Sequence, residues 1–160
     1  MALKILIRTQ LDSIPELTDV CFTKTTYDGT NTTVPASAPK GVLGGSIAGL
    51  SSGNDYKVVP CTQALQPVGL FVNDAAGAAF ENSPAVASNK LAIIKGMASV
   101  EVDVYETESL AGGGYAVGNK LYASDNGLLT NNASTSAVVI GICTKVPSAQ
   151  SPALGVDMRI

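Results

Sequence analysis

A short strand, a turn, a strand of the form hydrophobic-Gly-hydrophobic, a polar spacer and an alternating closing strand occur twice in this chain. That cadence confines it to an all-β fold, a small β-barrel or β-sandwich. The later occurrence runs Gly118-Asn119-Lys120-Leu121-Tyr122-Ala123, a turn at Asp125-Asn126-Gly127, Leu128-Leu129-Thr130, Val138-Val139-Ile140-Gly141-Ile142 and finally Ala153-Leu154-Gly155-Val156-Asp157-Met158-Arg159-Ile160. The earlier one runs Asp55-Tyr56-Lys57-Val58-Val59, Pro67-Val68-Gly69-Leu70-Phe71-Val72, a spacer and Lys90-Leu91-Ala92-Ile93-Ile94. Spacer lengths differ and identities are few. A true internal duplication and the ordinary recurrence of hairpins in a β domain both fit.

Period-two alternation places the strands. Val100, Val102 and Val104 alternate with Ser99, Glu101 and Asp103, and Leu154, Val156, Met158 and Ile160 alternate with Asp157 and Arg159. Each pattern is that of a strand with one wet face. Residues 138–142 are apolar at both parities and read as a central strand, in which Gly141, like Gly69, marks a bulge or a close backbone approach. Asn126-Gly127 signals a hairpin with a type I′ turn, whose positive φ these residues tolerate. Near the N-terminus Leu3, Ile5 and Ile7 fall on one face of a short strand, with Lys4 and Arg8 on the other. Pro15 argues against a helix over residues 11–20. Residues 24–40 are rich in Thr, Asn, Ser, Gly and Pro and too poor in apolar groups to fold alone. They read as a long loop or extended arm, joined by a Gly/Ser-rich connector at residues 41–53 to a body that starts near Asp55. The expected organisation is therefore an N-terminal strand, arm and connector over 1–54, and a barrel or sandwich body with long loops over 55–160.

Of the 160 residues 46% are hydrophobic and only 14% charged, so the exposed surface is poor in charge. Partners, or the abundant Ser, Thr, Asn and Gly, are expected to cover it. The net charge of −3 carries no footprint for nucleic acid. No apolar run approaches a bilayer-spanning length, and the opening Ala2-Leu3-Lys4-Ile5-Leu6-Ile7-Arg8 is too interrupted for a secretory signal. A protein made in a cytosol, with no membrane partner, is expected. Cys21, Cys61 and Cys143 are odd in number and widely spaced, as reduced semi-buried thiols would be.

Chemistry is sparse. Histidine is absent, which removes the commonest general base and most transition-metal sites. Gly44-Gly45-Ser46-Ile47-Ala48-Gly49-Leu50-Ser51 looks superficially like a phosphate loop, but Leu50 stands where the lysine belongs, and a flexible connector is the better reading. Gly112-Gly113-Gly114 lacks dinucleotide spacing and reads as a mobile loop tip. Glu101, Asp103, Glu106 and Glu108 form the one acidic cluster. It could serve acid/base work or hold a cation, but its place on an alternating strand is that of a solvated face. The glycosylation sequons at Asn31 and Asn132 are what chance supplies in such a chain. No cofactor is expected.

The run Gly118-Asn119-Lys120-Leu121-Tyr122 … Asp125-Asn126-Gly127-Leu128-Leu129-Thr130 … Val139-Ile140-Gly141-Ile142 … Leu154-Gly155-Val156-Asp157-Met158-Arg159-Ile160 resembles the C-terminal part of the capsid cement, or decoration, proteins of tailed bacteriophages. The likeness is good over residues 118–160, loose over 55–104 and absent from the first fifty. It implies a non-enzymatic virion protein that forms homo-oligomers, commonly trimers, on the capsid exterior and clamps neighbouring subunits of the major capsid protein. In that setting Lys4, Arg8, Tyr27, Asp28 and Lys40 are the expected capsid contacts. A head-fibre or adhesion module binding host glycans is the alternative, with five tyrosines and no tryptophan to stack on sugars. A hydrolase using the face of Glu101 and Asp103 is the least supported reading.

Overall fold

The computed structural model describes residues 4–8, 16–19, 41–50, 58–72, 75–76, 90–135 and 137–160. These residues form β1 (Lys4–Arg8), β2 (Glu16–Asp19), β3 (Gly41–Val42), β4 (Ile47–Leu50), β5 (Val58–Pro60), β6 (Pro67–Phe71), β7 (Ala75–Ala76), β8 (Lys90–Ile94), β9 (Met97–Val102), β10 (Lys120–Ala123), β11 (Leu129–Thr130), β12 (Gly141–Lys145) and β13 (Leu154–Arg159), with one 3-10 turn at Ala111–Gly113. The fold is all-β. One sheet has six strands in the order β1-β9-β13-β12-β10-β11, a second has five in the order β2-β8-β6-β4-β5, and β3 and β7 form a small ribbon. The first sheet curls into a half-barrel. Tyr105, just past β9, bridges in parallel to Leu129 of the far strand β11, and the Glu106 N–H donates to the Leu129 carbonyl at 2.8 Å.

The two large sheets repeat one another. Numbered along the chain within each half, a to e, β2, β4, β5, β6, β8 and β9, β10, β11, β12, β13 both lie in the order a-e-d-b-c. The registers agree as well. Ala48 opposes Gly69 where Leu121 opposes Gly141. Gly49 opposes Val59 where Tyr122 opposes Thr130. Phe71 opposes Ile93 where Cys143 opposes Val156. A Cβ on Gly69 would strike the carbonyl oxygen of Ile94, and one on Gly141 would come 2.5 Å from that of Asp157, an equivalent residue by the same register. The duplication is therefore in the topology, and both glycines mark close backbone approaches. The repeat also begins earlier than the sequence cadence indicates. Val58–Pro60 matches Leu129–Thr130, and the counterpart of Lys120–Ala123 is Ile47–Leu50.

That counterpart corrects the reading of residues 41–53 as a connector, and of residues 44–51 as a flexible loop. β4 lies between β5 and β6, with Ile47 and Ala48 fully buried. Its small residues fit because a Cβ on Gly49 would come 2.9 Å from Cys61 Sγ. β4 and its partner β5 lie on either side of residue 54.

A single core joins the sheets. Val100, Val102, Leu121, Leu154 and Val156 of the six-stranded sheet cluster with Ile47, Leu70 and Ile94 of the other. Each such side chain contributes about 1.5–3 kcal/mol when fully removed from water. The two alternating strands behave as their period requires. Val100, Val102, Leu154, Val156 and Met158 are buried, whereas Ser99, Glu101 and Asp157 are half-exposed and Arg159 exposed. Where β6 pairs with β8 the five-stranded sheet is buried on both faces. Leu70 and Ile94 oppose one another on the face that joins the core, and Phe71 and Ile93 on the other, and all four are buried. Adjacent apolar pairs in its sequence follow from this.

Two local expectations change. A register shift between Ile5 and Ile7 sets Lys4 opposite Glu101 but Arg8 opposite Ala98. Glu101 and the buried Ala98 lie at opposite parities of β9, so the bulge breaks the common face expected for Lys4 and Arg8. The Asn126-Gly127 hairpin forms, but not through a type I′ turn. Gly127 has φ +74° and Asn126 is outside the left-handed region. The Gly127 N–H donates to the Ser124 carbonyl at 3.1 Å and the Ser124 N–H to the Leu128 carbonyl at 2.8 Å. This is the longer hairpin in which glycine supplies the left-handed residue after a tight turn.

Candidate interaction surface

The loop between β9 and β10 carries the densest polar network among the described residues, and it is built from the chain's uncharged side chains. Asn131, just past β11, holds it from below. Its Oδ1 accepts the Ala111 N–H at 2.9 Å, and its Nδ2 donates to the carbonyls of Gly114 at 2.7 Å and Ala111 at 3.0 Å. Asn132 Nδ2 donates to the Ser109 carbonyl at 2.8 Å. Asn119 Oδ1 accepts the Ala116 N–H at 2.8 Å. Gly112 and Gly113 take left-handed φ values of +65° and +80° with open space where a Cβ would stand. The glycine triplet, expected as a mobile tip, is thus part of a tight turn with left-handed glycines at 112 and 113, latched through an asparagine. Such side-chain-to-backbone bonds preorganise a loop, which lowers the entropy lost when a partner binds.

Two tyrosines support the loop from inside. Tyr115 packs edge-on against Tyr105, ring centroids 5.7 Å apart at 89°. Its hydroxyl lies 2.7 Å from the Glu106 carbonyl and 2.8 Å from that of Leu129, sharing one proton between them. Burial, with Glu106 as a lesser cause, pushes the Tyr115 hydroxyl well above its ordinary pKa. Tyr105 donates to the Pro152 carbonyl at 2.7 Å. It too is shifted upward, by burial and then by Asp103. The outer surface of the loop is neutral from Ser109 to Gly118. Ala111, Ala116 and Val117 are exposed there, Val117 to 70%.

The acidic cluster disperses. Glu101 pairs with Lys145 at 2.7 Å, Glu106 Oε2 accepts Asn126 Nδ2 at 3.0 Å, and Asp103 and Glu108 are exposed. Among the described residues no group of three or more His, Cys, Asp or Glu side chains could hold a metal ion. Cys61 and Cys143 are free and buried. Burial raises both thiols, Cys61 to about 12. Cys21 lies outside the described residues, as do Tyr27, Asp28, Lys40 and the sequon at Asn31. Lys4 and Arg8 are placed by backbone register alone. A shallow groove of about 690 Å³ lies at the junction of the halves, lined by residues 63–66 of one and by Ser134, Thr135 and Val138 of the other. No described helix is long and apolar enough to cross a membrane.

The latching asparagines at 131 and 132 carry no signal in sequence, because their bonding partners lie up to 23 residues away. The glycine triplet was the visible half of that arrangement. No protein-family model matches this chain, and no curated protein matches it significantly.

Proposed function

We propose that the protein is a non-enzymatic virion component that binds the outer surface of a phage capsid and stabilises the head by clamping neighbouring major capsid subunits. The observation that carries this reading joins sequence and fold. The run that resembles the cement proteins, residues 118–160, forms the four consecutive strands β10 to β13 of one sheet. From it, Asn131 and Asn132 anchor the exposed, neutral loop. A preorganised apolar loop suits a stoichiometric protein contact, in which affinity comes from shape and multivalency rather than from charge. On this reading the loop bearing Val117 supplies a rigid contact. Lys4, Arg8, Tyr27, Asp28 and Lys40 belong to a second contact made by the N-terminal segment. Oligomerisation, as a trimer, multiplies both.

Co-sedimentation with expanded, undecorated heads tests this, with light scattering of the free protein to count subunits. Saturable binding at a fixed ratio to the shell protein, which delays thermal rupture of the heads, is the expected result. Absence of binding by folded protein overturns it. Replacing Lys4, Arg8, Tyr27, Asp28 and Lys40 together by Ser, which keeps the strands β1 and β2 in the chain, separates the two contacts, since loss of occupancy assigns the N-terminal segment and unchanged occupancy assigns the loop alone.

A further inference from the structure

We infer that Asn126-Gly127 is a self-modification site gated by the fold. It is silent while the 124–128 turn is closed, and it converts irreversibly to aspartate or isoaspartate when that turn opens. The chemistry needs only water. The Gly127 backbone nitrogen gives up its proton to a base and attacks Asn126 Cγ. The new C–N bond closes a five-membered succinimide as the Cγ–Nδ2 bond breaks and ammonia leaves with a proton. Water then opens the ring at either carbonyl, giving aspartate or, with the main chain rerouted through Cβ, isoaspartate. Glycine places no side chain in the way of this attack, so Asn-Gly is the most reactive such dipeptide in an open chain.

The fold blocks each requirement. The attacking N–H is committed to the Ser124 carbonyl at 3.1 Å. The leaving amide is committed to Glu106 Oε2 at 3.0 Å. Ser124 Oγ accepts the N–H groups of Asn126 and Leu128, each at 3.2 Å, which fixes the turn around them. The neighbouring Glu106 carboxylate also opposes the negative charge that develops on the attacked amide. Gly127 itself is buried. Its carbonyl accepts the Ile47 N–H at 2.8 Å, and a Cβ there would come 3.2 Å from the Cys61 carbonyl oxygen. The turn is therefore part of the joint between the two halves and cannot bend towards the cyclic geometry without parting them.

The product prevents reclosure. Aspartate at 126 sets a second carboxylate against Glu106 in place of a donor. Isoaspartate inserts a methylene into a turn that has no room for one. One opening event thus becomes a permanent weakening of the joint.

The full-length protein, native or in denaturant, is incubated at mildly alkaline pH, and the peptide spanning 126–127 is followed by mass spectrometry. Conversion is expected to be at least about tenfold slower in the native protein, by the fraction of time the turn spends open. Ser124→Ala is expected to speed native conversion without changing the rate in denaturant, and Glu106→Ala, which removes the acceptor of the Asn126 amide, serves as the second variant should the first not fold. Equal rates in native and denatured wild type overturn the inference, as do folded variants that convert no faster than wild type.

Discussion

Lys145 reaches across Gly155 to Glu101. Its Nζ lies 2.7 Å from Glu101 Oε1, and Gly155 sits between them in register, opposite Lys145 on one side and Glu101 on the other. A Cβ on Gly155 would come 2.6 Å from Lys145 Cβ and 2.8 Å from Thr144 Oγ1. The missing side chain is what lets a cross-sheet pair form over an intervening strand. Lys4 is the register partner of Glu101 from the other side, so the acidic residue is flanked by lysine positions in a row across the sheet.

Gly155→Ala is accordingly expected to cost about 1–3 kcal/mol through overpacking against the base of Lys145. Lys145→Met, which removes only the charge, is expected to cost less than about 1 kcal/mol and to abolish the salt dependence of that contribution. Urea titrations of the two variants at low and high salt check both. Equal losses would mean that the ion pair, and not the close approach, dominates.

The duplicated registers make a paired prediction. Gly69→Ala and Gly141→Ala each drive a methyl group into a carbonyl oxygen of the neighbouring strand, that of Ile94 and of Asp157 respectively. Each is expected to lower stability by about 1–3 kcal/mol. The effects are expected to add in the double variant, because the sites lie in different sheets without shared partners. Thermal melts followed by circular dichroism give the three values.

Where period-two patterning governs, the sequence was readable. β9 and β13 lie with Val100, Val102, Leu154, Val156 and Met158 inward because one face of their sheet is wet. β4 was hidden for the opposite reason. Buried on both faces and pressed against Cys61, it needs small residues, and Ile47-Ala48-Gly49-Leu50 within a Gly/Ser-rich stretch looks like a linker. The bulge that separates Lys4 from Arg8 lies in β1, where the step from Ile5 to Ile7 faces a single step of β9, and no Gly or Asn marks it. The loop surface was only partly visible, since glycines announce a turn but the asparagine that fixes it pairs only in three dimensions. The hairpin at Asn126-Gly127 was legible as a hairpin, whereas its geometry depends on Ser124 and on the sheet beyond it.

Asn131→Ala is expected to release the loop without unfolding the sheet. It removes one acceptor and two donors from the backbone of Ala111 and Gly114, all at the partly exposed edge of the fold, so the expected loss is about 1–2 kcal/mol. Hydrogen exchange at the Ala111 amide is expected to rise while that at Val100 and Val156 in the sheet is unchanged. If the loop docks on heads, as proposed, affinity falls with it. Unchanged exchange at Ala111 would show that Tyr115 alone organises the loop.

Tyr115 and Cys61 together predict an alkaline limit to stability. Both are held neutral by burial, the Cys61 thiol raised from an ordinary 9.0 to about 12 and the Tyr115 hydroxyl raised from 10.0. A raised acid contributes its full native-state preference below the unfolded pKa, where both states are protonated. Above that pKa the unfolded chain ionises first, and stability is lost as pH climbs towards the folded value. Stability is therefore expected to be level in this respect at neutral pH and to fall from about pH 9 upward. Cys61→Ala is expected to flatten the first part of that decline, at the cost of a small cavity at all pH values. Tyr115→Phe is expected to flatten the later part while leaving the carbonyls of Glu106 and Leu129 without their shared donor. Denaturation midpoints of wild type and both variants, measured at intervals from pH 7 to pH 11, give the slopes. Parallel curves for all three would show that neither buried group sets the alkaline limit.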